Sequence, residues 1–89
     1  MKIEPIEVYS DATNQAVIRH PGRRFPGILI QGDTLHAIVI SLRVVIKNAA
    51  CLDQESQDRL GEVAQSLDAL LAHYRAVLVA HHIDLPFQP

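Results

Sequence analysis

Apolar and polar positions alternate in short runs up to about residue 32 and then change period. In Ile3–Ser10, Ile6 and Val8 fall on one side and Glu7 and Tyr9 on the other. This period of two predicts a strand. Asp11-Ala12-Thr13-Asn14 reads as a turn, because Asp and Asn tolerate left-handed backbone. Gln15–Arg19 alternates again, with Ala16 and Ile18 opposed to Val17 and Arg19. His20–Pro26 is a loop whose Pro21-Gly22 suits a type II turn. Gly27–Gln31 is a third strand. Connections this short favour an antiparallel meander over 1–32.

From residue 33 the apolar spacing becomes helical. Leu35, Ile38, Val39, Leu42, Val45, Ile46 and Ala49 follow i, i+3, i+4, i+7 and predict a first helix over 33–50, capped by Asp33 or Thr34. Ala37, Ile40 and Val44 form a second apolar stripe beside the first, so this helix is expected to be covered on two sides. Asp53 reads as the N-cap of a second helix over 53–82, whose stripe runs Leu60, Val63, Ala64, Leu67, Leu70, Leu71, Tyr74, Val77 and Leu78. Gly61 marks either a bend or the close approach of another backbone. Residues 83–89 form a tail, because Pro86 stops helix beyond Leu85. The expected fold is α+β: one domain, with a three-stranded antiparallel sheet followed by two long helices.

Length then bears on association. A chain of 89 residues forms a globule about 30 Å across, whereas a straight helix of 28 residues spans about 42 Å. The second helix is expected to overhang its own subunit unless it bends. Tyr9, Val17 and Leu29 add apolar side chains to an outward sheet face. A homodimer is the expected outcome, with Ala37, Ile40, Val44, Leu67, Leu71, Tyr74 and Leu78 at its interface.

Composition removes several classes of function. Ten acidic against eight basic residues, a net charge of −2, disfavours a general nucleic-acid coat. The only aromatics are Tyr9, Phe25, Tyr74 and Phe87, too few for a base-stacking platform. No apolar run is long enough to span a membrane, and the start lacks a signal pattern, so a cytoplasmic protein is expected. Cys51 is the only cysteine, expected as a small buried hydrophobe. No pair among His20, His36, His73, His81 and His82 has the i, i+3 or i, i+4 spacing of helical metal ligands, so no metal or other cofactor is expected. No nucleophile motif appears, and no catalytic residues are assigned.

The chemistry that remains is in one loop. Arg19, His20, Arg23, Arg24 and Phe25 gather three arginines, a histidine and a ring on either side of Pro21-Gly22 and before Pro26. Arginine suits bidentate recognition of carboxylate or phosphate. The loop is therefore the candidate partner-binding site, and the expected function is a non-catalytic protein-binding module. The plain alternative is a solvated turn in which Arg23 or Arg24 pairs with Glu4, Glu7 or Asp11. Two other readings stay open. One is a small nucleic-acid-binding regulator using Arg19, Arg23, Arg24 and Arg43. The other is a small hydrolase or ligand-binding protein around His20 and His36.

The stretch Phe25-Pro26-Gly27-Ile28-Leu29-Ile30-Gln31-Gly32-Asp33-Thr34-Leu35 resembles the signature of HicB-like antitoxins. The likeness covers about residues 15–50. It implies a β-β-β-α start and a toxin ribonuclease as partner, with antitoxin- or immunity-like neutralisation as the activity. After Ala50 one long helix stands where that family adds a strand and a helix. The whole chain is also similar to a group of short bacterial proteins of unknown function, through Glu7-Val8-Tyr9-Ser10-Asp11 and the run from Ala16 to Gly27.

Overall fold

The computed structural model describes residues 1–13 and 15–88. The expected turn at Asp11–Asn14 therefore falls partly outside the described residues at Asn14, as does Pro89 of the tail. The element order is three strands followed by two helices: β1 (Glu7–Ser10), β2 (Ala16–Arg19), β3 (Gly27–Leu29), α1 (Gly32–Lys47) and α2 (Gln54–Ala80). The fold is α+β, with the strands in an antiparallel sheet of order β1-β2-β3. Two compact units carry these elements, Met1–Gln31 and the chain from Gly32 onward.

In the first unit the strands are shorter than the alternation predicts. β2 offers four residues, and the ladders on either side extend no further than its length. Ile3–Ile6 has no strand opposite and Pro5 lacks an N–H to donate, so β1 begins at Glu7. Val8 faces Ile18 and Ser10 faces Val17, which leaves Tyr9 as the extra residue of a β-bulge. Ala16 pairs with Leu29 and Val17 with Ile28. This register corrects the expected outward face. Leu29 lies on the side of Ala16 and Ile18, and Ile28 takes its place beside Val17.

In the second unit α1 starts earlier than expected. Gly32 and Asp33 lie inside its first turn. Asp33 accepts the N–H of Thr34 at 2.9 Å and places a negative charge at the positive end of the helix dipole. Gly32 is buried, and a Cβ built there would fall on the ring of Tyr74. α1 ends at Lys47, three residues before the expected limit. A 3-10 turn at Ala49–Cys51 and the extended Leu52 follow. Asp53 then caps α2 as expected, accepting the N–H of Ser56 at 2.8 Å. Gln57 reaches back to the Leu52 carbonyl at 2.8 Å and fixes the entry of the chain into α2.

The two helices form an antiparallel hairpin. Gly32 meets Tyr74, Leu35 and Val39 pack with Leu71, and Arg43 pairs with Asp68 at 2.9 Å. Leu35, Val39 and Leu71 are its buried centre, with Leu67 and Phe87 packed against them. At about 1.5 Å per residue, α2 spans about 40 Å against about 24 Å for α1. The difference is partly met by the tail. His82 adopts φ 58°, and the N–H groups of His82 and Ile83 bond the carbonyls of Val79 and Leu78. That is a Schellman closure. Beyond it Phe87 stacks on His36 with ring centroids 4.1 Å apart, and the Arg75 guanidinium lies 5.8 Å from the same ring.

Three expectations change here. Leu71 is buried inside the hairpin, and Leu67 and Tyr74 pack within it, so these side chains are not free to form an interface with another copy. Leu78 is half-buried, while Ala37, Ile40 and Val44 stay exposed. Gly61 meets nothing within 4 Å of a built Cβ, and α2 runs unbroken through it; Gly32 is the glycine under a close neighbour. Cys51 is exposed, because it lies in the 3-10 turn outside the stripe that the helix period places inside.

Candidate partner-binding loop

β2 delivers Arg19 and then reverses through His20–Arg23. The Arg23 N–H bonds the His20 carbonyl at 3.1 Å, and Gly22 has φ 83°. With proline unable to take a positive φ at the preceding position, this is the type II turn that Pro21-Gly22 predicts. His20 Nδ1 donates to the Pro21 carbonyl at 2.9 Å, which leaves Nε2 as the outward nitrogen. The Arg24 guanidinium sits over the ring of Phe25 at 5.2 Å, within cation–π range.

The turn and its flanking strands surround a concavity of about 470 Å³, lined by Ile18, His20, Arg23, Arg24, Phe25, Gly27 and Ile28. Four of the five expected partner-binding residues are brought together there: His20, Arg23, Arg24 and Phe25. Arg19 is not among them. It pairs with Glu7, directly opposite on β1; its Nε donates to Glu7 Oε1 at 2.7 Å, and Nη2 reaches the same oxygen. The Tyr9 hydroxyl donates to Glu7 Oε2 at 2.7 Å. These bonds favour the ionised carboxylate. The Tyr9 phenol and then the Arg19 guanidinium hold Glu7 below the usual glutamate range, and donation to Glu7 holds the Tyr9 phenol above its own.

Ile18, Gly27 and Ile28 carry no site signal in the sequence. Strand alternation gives their faces, but only the pairing of Ile18 with Gly27 and of Val17 with Ile28 brings the two strand ends beside the loop.

Charge is uneven around the concavity. Among the described residues the ion pairs are Lys2–Glu4, Arg19–Glu7, Arg43–Asp68 and Arg59–Glu55. Arg23 and Arg24 take part in none of them. Two guanidinium groups therefore face solvent beside Phe25 and Ile28, which are 72% and 68% exposed. The lining set supplies cations and apolar surface, with no carboxylate, hydroxyl or thiol side chain. Such a surface can bind an anionic group that has an apolar neighbour.

Elsewhere, His36 lies against Phe87 and Arg43 against Asp68. Among the described residues no group of three or more His, Cys, Asp and Glu side chains could hold a metal ion. Among those residues no helix is long and apolar enough to cross a membrane.

Comparison with known proteins finds no match among curated proteins and none among solved structures. These comparisons show no similarity to HicB-like antitoxins. The shared sequence covers both units and the loop between β2 and β3, from residue 1 to residue 87, and by it the chain belongs to the family of unknown function DUF6959.

Proposed function

We propose that this chain is a non-catalytic protein-binding module that captures an acidic segment of a partner protein at the loop between β2 and β3. One observation carries the reading: Arg23 and Arg24 stand over an apolar concavity with no carboxylate of their own among the described residues. An exposed arginine that is not committed to an internal pair loses less on meeting a new carboxylate than one that must first break a bond. Phe25, with Arg24 stacked on it, supplies the flat apolar contact that interfaces favour at their centre. The partner segment is one that places Asp or Glu beside an apolar side chain. The likeness of Phe25–Leu35 to HicB-like antitoxins favours a small bacterial toxin, met in the cytoplasm, as the source of that segment.

The test uses the intact chain, isotope-labelled, and the product of the adjacent gene, with a short Glu/Phe peptide as a minimal probe. Chemical-shift changes are expected at residues 18–28, and Arg23→Glu with Arg24→Glu is expected to weaken binding at least about tenfold while the spectrum of the helices stays unchanged. Equal binding by the double variant sinks the assignment to this loop. Binding that ignores salt also counts against it, because an arginine–carboxylate contact at an exposed site is screened.

A further inference from the structure

From the helical hairpin we infer a second interaction surface, independent of the loop: one flat side of the α1–α2 pair is the face on which a second copy of this chain docks, and two hairpins complete a four-helix bundle.

The placement follows from helix geometry. The Arg43–Asp68 ion pair marks one side of the seam between the helices. At about 100° per residue, Ile38, Leu42 and Val45 project from the other side of α1, and Val63, Leu70 and Val77 from the other side of α2. In an antiparallel pair those two sides form a single face. Ile38, Val45, Val63, Leu70 and Val77 are exposed on it, from 38% for Val77 to 58% for Leu70. No charged residue interrupts the six.

The spacing identifies the occupant as helix. Along α1, Leu35, Ile38, Leu42 and Val45 step by three, four and three. Along α2, Leu60, Val63, Leu67, Leu70, Tyr74 and Val77 alternate three and four throughout. This is the repeat of helices that pack knobs into holes. In each run every second member is buried or half-buried in the hairpin, and the members between them stay open. Half the repeat is thus used inside the subunit and half is left for helices outside it.

Area favours a second copy over a single foreign helix. The open side chains present on the order of 500 Å² of apolar surface, at the upper end of what a lone soluble chain leaves in one patch. Two such faces together bury on the order of 1,000 Å², about the least that a specific interface needs. An identical two-helix face matches both runs along their length and is self-complementary under a two-fold axis. The interface differs from the stripe expected from sequence, because Ala37, Ile40 and Val44 lie on the opposite flank of α1.

Light scattering on the full chain tests the assignment. The wild type is expected at twice 9.9 kDa, with an unfolding midpoint that rises with protein concentration. Leu70→Glu and Val45→Glu are each expected to weaken association by at least about 100-fold, giving the mass of one chain at concentrations where the wild type is paired. Val44→Glu, on the other flank, is expected to stay paired. Leu70→Ala serves as a milder change that keeps the hairpin folded and is expected to lose most of the concentration dependence. A wild type that stays at one chain up to about 1 mM overturns the inference, whether or not it captures lipid or a foreign helix. So does a paired Leu70→Glu variant, or a Val44→Glu variant that alone comes apart.

Discussion

The ring of Tyr74 occupies the place where a side chain on Gly32 would begin. Gly32 is the first residue of α1 and Tyr74 lies in the sixth turn of α2, so this contact sets how closely the helices approach at that end of the hairpin. The requirement is steric. Gly32 does not adopt a left-handed backbone, so alanine there would be conformationally favoured if space allowed it. The contact reverses that sign. Gly32→Ala is expected to destabilise the hairpin by about 1–3 kcal/mol, as overpacking does. Adding Tyr74→Ala should return at least about 1 kcal/mol of the Gly32→Ala penalty in a double-mutant cycle followed by urea unfolding. Simple additivity would show that the ring yields without cost.

That contact also marks where sequence reading stops. Element type and order follow from the change of period near residue 32, the Asp53 cap from its chemistry, and the Pro21-Gly22 turn from the φ limits of its two residues. Each of these depends on neighbours a few residues away. Neither Gly32 nor Gly61 shows in that local view what lies over it. Only the long-range pairing of α1 with α2 puts a ring over the first and open space over the second. The candidate loop divides in the same way. His20, Arg23, Arg24 and Phe25 were legible as a cluster, whereas Ile18 and Ile28 join it through strand register, and Arg19 leaves it because register sets Glu7 opposite. Phe87 carries no periodic signal at all, since it follows two breaks in the helix and reaches the hairpin through a reversal of the chain.

The Glu7, Tyr9 and Arg19 cluster predicts a specific response to pH. Glu7 is held below the usual glutamate range, so its contribution to the sheet is full above that range and is lost as pH falls through its lowered value. Tyr9 is held above the usual phenol value. Its contribution is full below that value and is lost as pH rises through the raised one. Both shifts describe one bond, the Tyr9 hydroxyl on Glu7 Oε2, and their directions agree. Tyr9→Phe removes the largest cause and leaves Arg19 in place. The Glu7 carboxyl is then expected to move back only part of the way when titrated by carbon NMR. An unchanged Glu7 titration would place the hold on the carboxylate with Arg19 alone.

Cys51 is accessible in the native chain, in the short turn between α1 and α2. Its sulfur lies 3.8 Å from the Asn48 carbonyl, a weak contact at most. A neutral thiol reagent is expected to label it in native buffer within about threefold of its rate in urea, because an exposed thiol is reached without unfolding. Protection of 100-fold or more in the native state would mean that something covers this turn.

His82 is the residue that sends the tail back over the hairpin, and it does so at a positive φ, which a Cβ disfavours. A residue with a Cβ pays about 1–2 kcal/mol in the left-handed region, and glycine pays nothing there. Glycine also loses more freedom on folding, by about 0.5–1 kcal/mol relative to alanine. The difference leaves His82→Gly more stable by about 0.5–1 kcal/mol, a rise of roughly 2–8 °C in the unfolding midpoint for a chain of this length. The Ile83 and His82 bonds to Leu78 and Val79 use backbone atoms only, so the substitution leaves them intact. Phe87 then keeps its place against His36, and the change should be visible in thermal unfolding without any shift in the aromatic resonances of that pair. His82→Val is expected to have the opposite sign, because a branched Cβ resists positive φ most strongly. If glycine and valine lower the midpoint equally, then the imidazole itself holds the turn and the backbone account of this reversal is wrong.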